Sequence, residues 1–285
     1  MAEGLYRRIL DKYQAGDRSG AVNARTLTSL LTMILNVPGY DAAKRAQIIL
    51  QTTVDLGRDS IGDVAPNTIV FNCMLNGLAK RRDSEAAWEL LLQMKKLHSE
   101  GYDTAPDNAS YSCVARAVAG ERNSEAVKRL NSITKEIFVA SERGQLEPDI
   151  LLFNTVLNAY SFTSKYDHTC AMEAQSLLTN LEMSSLRNDP VQPDVESYSA
   201  VCRAFAHCKH PGAAKYAEDT LRTANKLAKE GKIDFPGTQF YSFVVLAHAK
   251  HGRQESLDKA EAIVAKMESA FLAGNAHVQP ITYTF

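Results

Sequence analysis

The stretch from Pro148 to Tyr160, PDILLFNTVLNAY, decides the fold of this chain. A Pro followed by Asp is typical of a helix start, because Pro has no N–H to leave unsatisfied and Asp can cap free backbone donors. Apolar side chains then recur at the i, i+3, i+4, i+7 spacing of one helix face. These side chains are Phe153, Val156, Leu157 and Tyr160. The stretch therefore predicts an amphipathic helix.

The same pattern returns along the chain at intervals of 40 to 45 residues. Its copies are PNTIVFNCMLNGL from Pro66, PDNASYSCVARAV from Pro106, PDVESYSAVCRAF from Pro193, PGTQFYSFVVLAH from Pro236 and the opening PITYTF from Pro280. An aromatic residue follows each Pro by five: Phe71, Tyr111, Phe153, Tyr198, Tyr241 and Phe285. These aromatic residues are predicted core anchors, because they lie on the apolar face. A weaker copy begins at Val22-Asn23, with Leu27, Leu30, Leu31 and Ile34 at its apolar positions.

Each unit also predicts a second helix, marked by a small residue and a partner two helical turns later. The pairs are Ala46 with Thr53, Ala87 with Met94, Ala126 with Ile133, Ala174 with Leu181, Ala217 with Ala224 and Ala260 with Met267. Residues seven apart share a helix face, and Ala permits close helix approach. Most of these helices end near a Gly, as left-handed C-terminal caps require: Gly57, Gly101, Gly144, Gly231 and Gly274.

The sequence thus predicts an all-α fold, an α-solenoid of stacked antiparallel helix-turn-helix repeats. The sequence pattern is compatible with either a right-handed or a left-handed superhelix. One solenoid is predicted over residues 1–285. Its parts are a partial repeat 1–23, repeats 24–67, 68–107, 108–149, 150–194, 195–237 and 238–281, and a truncated repeat 282–285. The chain begins with a second helix and stops inside a first helix, so we expect it to be a fragment of a longer array.

Composition narrows the function. The net charge is −1, so no global field attracts nucleic acid, and the five Cys residues fit reduced thiols. No apolar run is long enough for a membrane span, and no targeting peptide is recognisable in this chain. No phosphate loop, nucleophile motif or catalytic acid pair is present, which predicts a protein that is not an enzyme and has no cofactor. Cys202, His207, Cys208 and His210 lack a standard zinc spacing, so no metal site is predicted.

Charge is unevenly distributed between the helices of a unit. We call a polar rung the residue after the aromatic anchor together with the residues four and eight positions later, which share a face of the first helix. The rungs are Thr28-Thr32-Asn36, Asn72-Asn76-Lys80, Ser112-Arg116-Gly120, Asn154-Asn158-Phe162, Ser199-Arg203-His207 and Ser242-Leu246-Lys250. These positions contain no Asp or Glu, although the chain has 33. A near-neutral protein thus has one acid-free face.

The Pro-Asp start, the aromatic anchor, the Asn or Ser after it and the Ala-anchored second helix resemble the pentatricopeptide repeat family, over nearly the whole chain. The resemblance implies a solenoid that binds single-stranded RNA in RNA processing, stability or translation, usually in a chloroplast or mitochondrion. It further implies that the residue after the aromatic anchor and the last residue of the repeat together select one base. The implied pairs are Thr28 with Asn67 for A, Asn72 with Asp107 for U, Ser112 with Asp149 for G and Asn154 with Asp194 for U.

The remaining units depart from the family. Ser199 with Gly237 and Ser242 with Ile281 are not base-selecting combinations, so these two units are expected to be permissive or silent. Lys80, Arg116, Arg203 and Lys250 are expected to neutralise phosphates. The repeats exceed the roughly 35 residues usual for such helical units, which affects the register of base reading.

Three simpler interpretations stand beside this one. Asp107, Asp149 and Asp194 also suit helix caps, a role compatible with base reading. Protein-binding scaffolds of the tetratricopeptide kind are also built from stacked helical hairpins, and the second-helix face could bind protein partners. A degenerate array that serves only as a spacer is the third alternative.

Overall fold

The computed structural model describes residues 24–37, 41–59, 66–121, 123–185, 191–250 and 254–272, together with Gly4, Arg8, Asp11 and Val278. Within these residues the chain is helical and forms no strand. The helices are α1 (Ala24–Asn36), α2 (Asp41–Asp59), α3 (Thr68–Arg81), α4 (Ser84–Ser99), α5 (Asn108–Val118), α6 (Glu125–Glu142), α7 (Ile150–Thr163), α8 (Thr169–Ser185), α9 (Val195–His207), α10 (Ala213–Lys229), α11 (Thr238–Ala249) and α12 (Gln254–Leu272). Odd-numbered helices are the first helices of the repeats and even-numbered ones the second, so the predicted all-α repeat fold is confirmed. Apart from Gly4, Arg8 and Asp11, the predicted partial repeat 1–23 lies outside the described residues, as does the truncated repeat 282–285.

The helices begin where the sequence predicts caps. The side chains of Asn67, Asp107, Asp149 and Asp194 each accept a hydrogen bond from a backbone N–H in the first turn of the following helix. Such a bond satisfies one of the donors that a helix start leaves open. At the opposite ends, Gly101, Gly144 and Gly231 have φ of 96°, 67° and 70°. These values lie in the left-handed region, as predicted for C-terminal caps.

Two further predicted glycine caps differ. Gly57 lies inside α2, two residues before its end at Asp59. Gly274 lies outside the described residues.

The chain divides into two compact units, residues 1–120 and 121–285. In the first unit α3 packs between α1 and α5, while α2 and α4 pack against these first helices. In the second unit α9 packs between α7 and α11, and α8, α10 and α12 pack against their hairpin partners. The division falls after Gly120, inside the predicted repeat 108–149, so α5 and α6 belong to different units. A single body over residues 1–285 stays a prediction.

The aromatic anchors form the core, with one exception. Phe71, Tyr111, Phe153 and Tyr198 are at most 3% exposed. Tyr241 is only half-buried, and Phe240, one position earlier, takes the buried place. Phe285 lies outside the described residues.

The exception has a packing reason. The position before the anchor is fully buried in the other full repeats, where it holds Val70, Ser110, Leu152 or Ser197. In α11 that position is itself aromatic, so its ring fills the core. Tyr241 keeps its hydroxyl at the surface, where it donates to Asn225 Oδ1 at 3.1 Å.

The second helices dock through the predicted pairs. All twelve members, from Ala46 and Thr53 to Ala260 and Met267, are buried. The apolar positions of the weaker early copy, Leu27, Leu30, Leu31 and Ile34, are buried as well. Burying these side chains on both helices leaves the polar rungs on the opposite side of the first helices.

Candidate nucleic-acid interface

The polar rungs lie on the accessible side of the first helices in both units. Of their eighteen positions only Asn154, at 6% exposed, counts as buried; the others are half-buried or exposed. The acid-free face predicted from the sequence is therefore a surface in each unit.

In the first unit, a hydrogen-bonded network links two neighbouring repeats at this face. Asn72 Nδ2, on α3, donates to both carboxylate oxygens of Asp107, at 3.0 and 3.2 Å. Ser110 Oγ, on α5, donates to Asn72 Oδ1 at 2.6 Å. Asp107 also accepts from the Ser110 backbone N–H at 2.9 Å, so it caps α5 while it binds the asparagine of the preceding repeat. Capping and pairing with Asn72 are thus two functions of one carboxylate.

The second unit repeats this network between α7 and α9. Asn154 Nδ2 donates to Asp194 Oδ1 and Oδ2 at 3.0 and 3.1 Å. Ser197 Oγ donates to Asn154 Oδ1 at 2.6 Å. The Ser197 backbone N–H completes the cap on Asp194 at 2.9 Å. Each network fixes which end of the asparagine amide points to which partner.

Among the described residues, hydrogen bonds within a unit join these two of the predicted base-reading pairs. Thr28 donates its hydroxyl to the Ala24 carbonyl at 2.7 Å, within its own helix, and Asn67 caps α3 by accepting from the Val70 N–H at 3.3 Å. Ser112 belongs to the first unit and Asp149 to the second, so that pair stays a prediction.

The two departing units differ from these pairs. Gly237 has no side chain with which to meet Ser199. Ser242 donates to the Thr238 carbonyl at 3.1 Å in its own helix, and its predicted partner Ile281 lies outside the described residues.

The middle positions of the rungs form a second repeated contact. Arg116 Nη2 donates to Asn76 Oδ1 at 2.9 Å, and Arg203 Nη2 donates to Asn158 Oδ1. In both units an arginine of one repeat thus binds the asparagine of the repeat before. Arg116 and Arg203 were predicted phosphate contacts, and their remaining guanidinium N–H groups are available for that function.

The other two predicted phosphate contacts lie at the ends of their helices. Lys80 is exposed in the last turn of α3. Lys250 is exposed just after α11 and donates to the Ala206 carbonyl, at the end of α9, at 2.6 Å.

A cluster of cations and aromatic rings lies where α7, α9 and α11 end. We call the aromatic-basic cluster the set Phe162, Lys165, Arg203, His207, Phe243 and Lys250. The Arg203 guanidinium carbon lies 4.5 Å from the ring centroid of Phe162 and 5.9 Å from that of Phe243. The rings of His207 and Phe243 meet edge to face at 6.5 Å.

Burial, and after it the charges of neighbouring side chains, shift the pKa values in the cluster. Burial lowers the pKa of His207 below its usual value, and the charges of Lys250, Arg203 and Lys165 lower it further, in that order. Burial also lowers the pKa of Lys250, with a further contribution from Lys165. Glu196 partly offsets the lowering that burial imposes on the pKa of Arg203. Within the described part of the chain, no carboxylate forms an ion pair with Lys165, Arg203 or Lys250.

Sequence reasoning missed several members of these contacts, among them Ser110, Ser197, Phe243 and Lys165. Ser110 and Ser197 follow Asp by three residues, and this capping-box spacing could have identified them. Lys165 lies in the turn after α7, where no repeat pattern marks it.

The described residues contain no group of three or more His, Cys, Asp or Glu arranged to hold a metal ion. Of the four Cys and His residues considered from the sequence, Cys202 is fully buried, and His210 Nδ1 accepts from the Gly212 N–H at 3.1 Å. No helix in the described ranges has the length and apolar character to cross a membrane.

The second-helix side of the second unit carries a cleft of about 800 Å³ between α10 and α12. Its lining combines apolar and charged side chains, among them Leu221, Lys226, Phe235 and Ile263. Binding of protein partners to the second-helix face stays a prediction.

Comparison with known proteins supports the family resemblance. Residues 66–120, which span α3 to α5, match the PPR repeat family. The resemblance predicted from the sequence is thereby confirmed for these residues, which contain the whole Asn72–Asp107–Ser110 network. A search of curated proteins finds no match.

Among solved structures, the chain is similar to the crystal structure of the pentatricopeptide repeat protein PPR10 from maize. The two are 17% identical, with a TM-score of 0.30 over 96% of this chain and 42% of that protein. The chain therefore spans less than half the length of that relative.

Proposed function

We propose that this chain binds single-stranded RNA along the polar rungs of its first helices. Its residues 66–120 match the PPR repeat family. The observation that carries the proposal is the repeated network in which Asn72 or Asn154 binds the capping Asp and the Ser of the next repeat. Two separate units form the same polar contact on their accessible faces, where helix packing alone requires no asparagine.

An unpaired strand suits this surface for a physical reason. An asparagine amide held between Asp and Ser presents a neutral donor to a base edge, without the desolvation cost of an unpaired charge. Base edges are open to such groups in single strands, whereas the grooves of duplex RNA are read mainly by shape and backbone. The arginines and lysines of the rungs supply local positive charge that the net charge of −1 conceals.

The base preferences follow as part of the proposal. Asn72 with Asp107 and Asn154 with Asp194 read U, Thr28 with Asn67 reads A and Ser112 with Asp149 reads G. Ser199 and Ser242 accept any base. We further propose that the binding serves RNA processing, stability or translation in a chloroplast or mitochondrion. Expressing the full gene product with a fluorescent tag tests the organelle, and a purely cytosolic signal contradicts it.

Binding to oligonucleotides tests the proposal directly. We expect a single-stranded RNA containing the proposed bases to bind more tightly than duplex DNA of the same length. Four phosphate contacts, from Lys80, Arg116, Arg203 and Lys250, predict a slope of roughly −3 for log affinity against log salt. Equal affinity for the two nucleic acids with no salt dependence contradicts the proposal.

Base selection has its own test. Asn154→Ser converts the Asn–Asp pair of the second unit into a Ser–Asp pair like that of Ser112 with Asp149. We expect its preference to change from U to G at one nucleotide position, because the serine hydroxyl cannot reproduce both amide contacts. Asn180→Ser, on an exposed turn of the second helix α8, is the matched control and should leave the preference unchanged. An unaltered preference in Asn154→Ser refutes the code while leaving RNA binding intact.

A further inference from the structure

The last position of the rung on α7 departs from its counterparts. That position holds Lys80 on α3 and Lys250 just after α11, but Phe162 on α7. The Phe162 side chain is 55% exposed, whereas the aromatic anchors Phe71 and Phe153 are at most 2% exposed. A large aromatic ring thus lies accessible to solvent at the end of a polar face.

Arg203 holds the ring in a defined setting. Its guanidinium stacks against Phe162 at 4.5 Å, while its Nε donates to Ser161 Oγ at 2.9 Å and its Nη2 donates to Asn158 Oδ1. Two hydrogen bonds to α7 therefore fix the plane of the cation. With one side of the ring covered by Arg203 and over half of the side chain exposed, Phe162 offers a preformed surface to a second flat group.

The surroundings of this surface favour an anion. The charges of Lys165, Arg203 and Lys250 all act on the imidazole of His207, and that of Lys165 also acts on Lys250. Glu196 is the one carboxylate whose charge acts on Arg203, and in the described ranges none of the three cations forms an ion pair with a carboxylate. Gathering like charges costs free energy, which a negatively charged ligand would recover. A ligand that combines a flat ring with an adjacent negative charge fits both features.

We propose that the aromatic-basic cluster binds one nucleotide of the RNA strand, with its unpaired base stacked on Phe162 and its phosphate held by Lys165 and Lys250. This inference rests on the proposed RNA binding and assigns it a site that reads no sequence, because every base has a face that can stack. The repeat from Ser199 to Gly237, which lacks a base-selecting pair, would thus still contribute affinity through Arg203. An acidic protein segment would satisfy the lysines but would leave the exposed ring unused.

Substitution of Phe162 tests the inference. We expect Phe162→Leu to weaken binding of single-stranded RNA roughly tenfold, since stacking of a base on an aromatic residue typically contributes that much. Phe162→Tyr should retain the affinity. An RNA with one abasic nucleotide at the matching position should bind the unsubstituted protein roughly tenfold more weakly, and Phe162→Leu should add no further loss on that RNA. Phe235→Leu removes another exposed aromatic ring of the same unit, on the second-helix side, and should change nothing.

A spectroscopic readout separates stacking from a structural effect. Phe162→Trp places an indole at the site, and we expect RNA to quench its emission; the signal of Trp88, the single native Trp, is subtracted using the unsubstituted protein. Quenching by an acidic peptide but not by RNA would overturn the inference. If the unsubstituted protein binds no RNA, the proposed function fails. If it binds RNA but Phe162→Leu binds equally well, or Tyr loses as much as Leu, the cluster proposal fails and the proposed function stands.

Discussion

The helix pairs α3–α5 and α7–α9 share two contacts and differ in the third. In both pairs an asparagine binds a capping aspartate and a serine of the next repeat. In both pairs an arginine of the second partner binds the middle asparagine of the first. At the last rung position, however, α3 and α5 hold Lys80 and Gly120, whereas α7 and α9 hold Phe162 and His207.

The difference follows from the turns that end the helices. After α3 the chain reaches α4 within two residues, because Arg82 adopts a left-handed conformation with φ of 57°. The Arg82 side chain packs on Gly120, where a Cβ atom would fall 2.6 Å from the Cβ of Arg82. After α7 the chain runs from Ser164 to His168 before α8 begins, and this longer turn supplies Lys165. The first two contacts are thus common to the repeats, and the third is specific to one of them.

The largest expected difference between the two pairs concerns burial of the asparagine. Asn154→Asp places a second carboxylate beside Asp194 at a site 6% exposed, while Asn72→Asp does so beside Asp107 at a half-buried site. We expect a loss of about 3 kcal/mol in the free energy of unfolding for the first and about 1 kcal/mol for the second, because an uncompensated buried charge costs more. Urea unfolding followed by circular dichroism measures both.

Measuring the two variants at different pH values tests whether the charge of the introduced carboxylate causes the loss of stability. Two neighbouring carboxylates raise the pKa of the introduced group, so the folded state binds a proton that the unfolded state has released. Stability lost at pH 7 should therefore be partly regained at pH 5. Equal losses for both variants at both pH values would show that burial does not distinguish the two networks.

Much of this fold was predictable because its determinants are local. The Pro-Asp starts predict the caps at Asp107, Asp149 and Asp194, and helical periodicity predicts the buried pairs such as Ala87 with Met94. Each depends on residues within two helical turns, which sequence spacing describes directly. The one misplaced anchor, Tyr241, is half-buried, and its hydroxyl donates to Asn225 Oδ1.

The site was predictable only in part, for the opposite reason. Asn72 and Asp107 were paired through the family resemblance, but the hydrogen bond from Ser110 to Asn72 spans 38 residues and depends on how neighbouring helices align. The placement of Arg203 between Phe162 and Phe243 joins three first helices. Such contacts require the rise and rotation from one repeat to the next, which a repeat of variable length does not specify.

A smaller difference is expected at the arginines. Arg203→Ala removes contacts with Asn158, Ser161 and two rings, whereas Arg116→Ala removes an exposed side chain bound to Asn76 and Cys113. We expect losses of about 2 and about 0.5 kcal/mol in the free energy of unfolding, since partly buried hydrogen bonds and cation–π contacts contribute more than exposed ones. Arg203→Lys should recover little, because an ammonium lacks the planar fork. Parallel urea titrations measure the free energy of unfolding of both alanine variants. Equal losses would mean that the rings do not stabilise Arg203.

The smallest expected effect is also specific to the second pair, because the last rung position of α5 is glycine and cannot titrate. In the free protein, burial and the charges of Lys250, Arg203 and Lys165, which face His207 from α11, α9 and the turn after α7, lower its pKa. The unfolded state therefore binds more protons than the folded one below the usual pKa of about 6.5, and stability should fall as the pH drops through that range.

RNA binding should raise the pKa of His207 again. A phosphate in the aromatic-basic cluster favours the imidazolium, so binding takes up a proton and affinity should increase roughly two- to fivefold from pH 8 to pH 6. His207→Gln should abolish this increase, whereas His98→Gln, at an exposed position in the last turn of α4, should retain it. Fluorescence anisotropy at fixed ionic strength measures the affinities. If His207→Gln keeps the full pH response, the phosphate does not lie beside His207, and the charges gathered at the end of α9 are relieved by some other group.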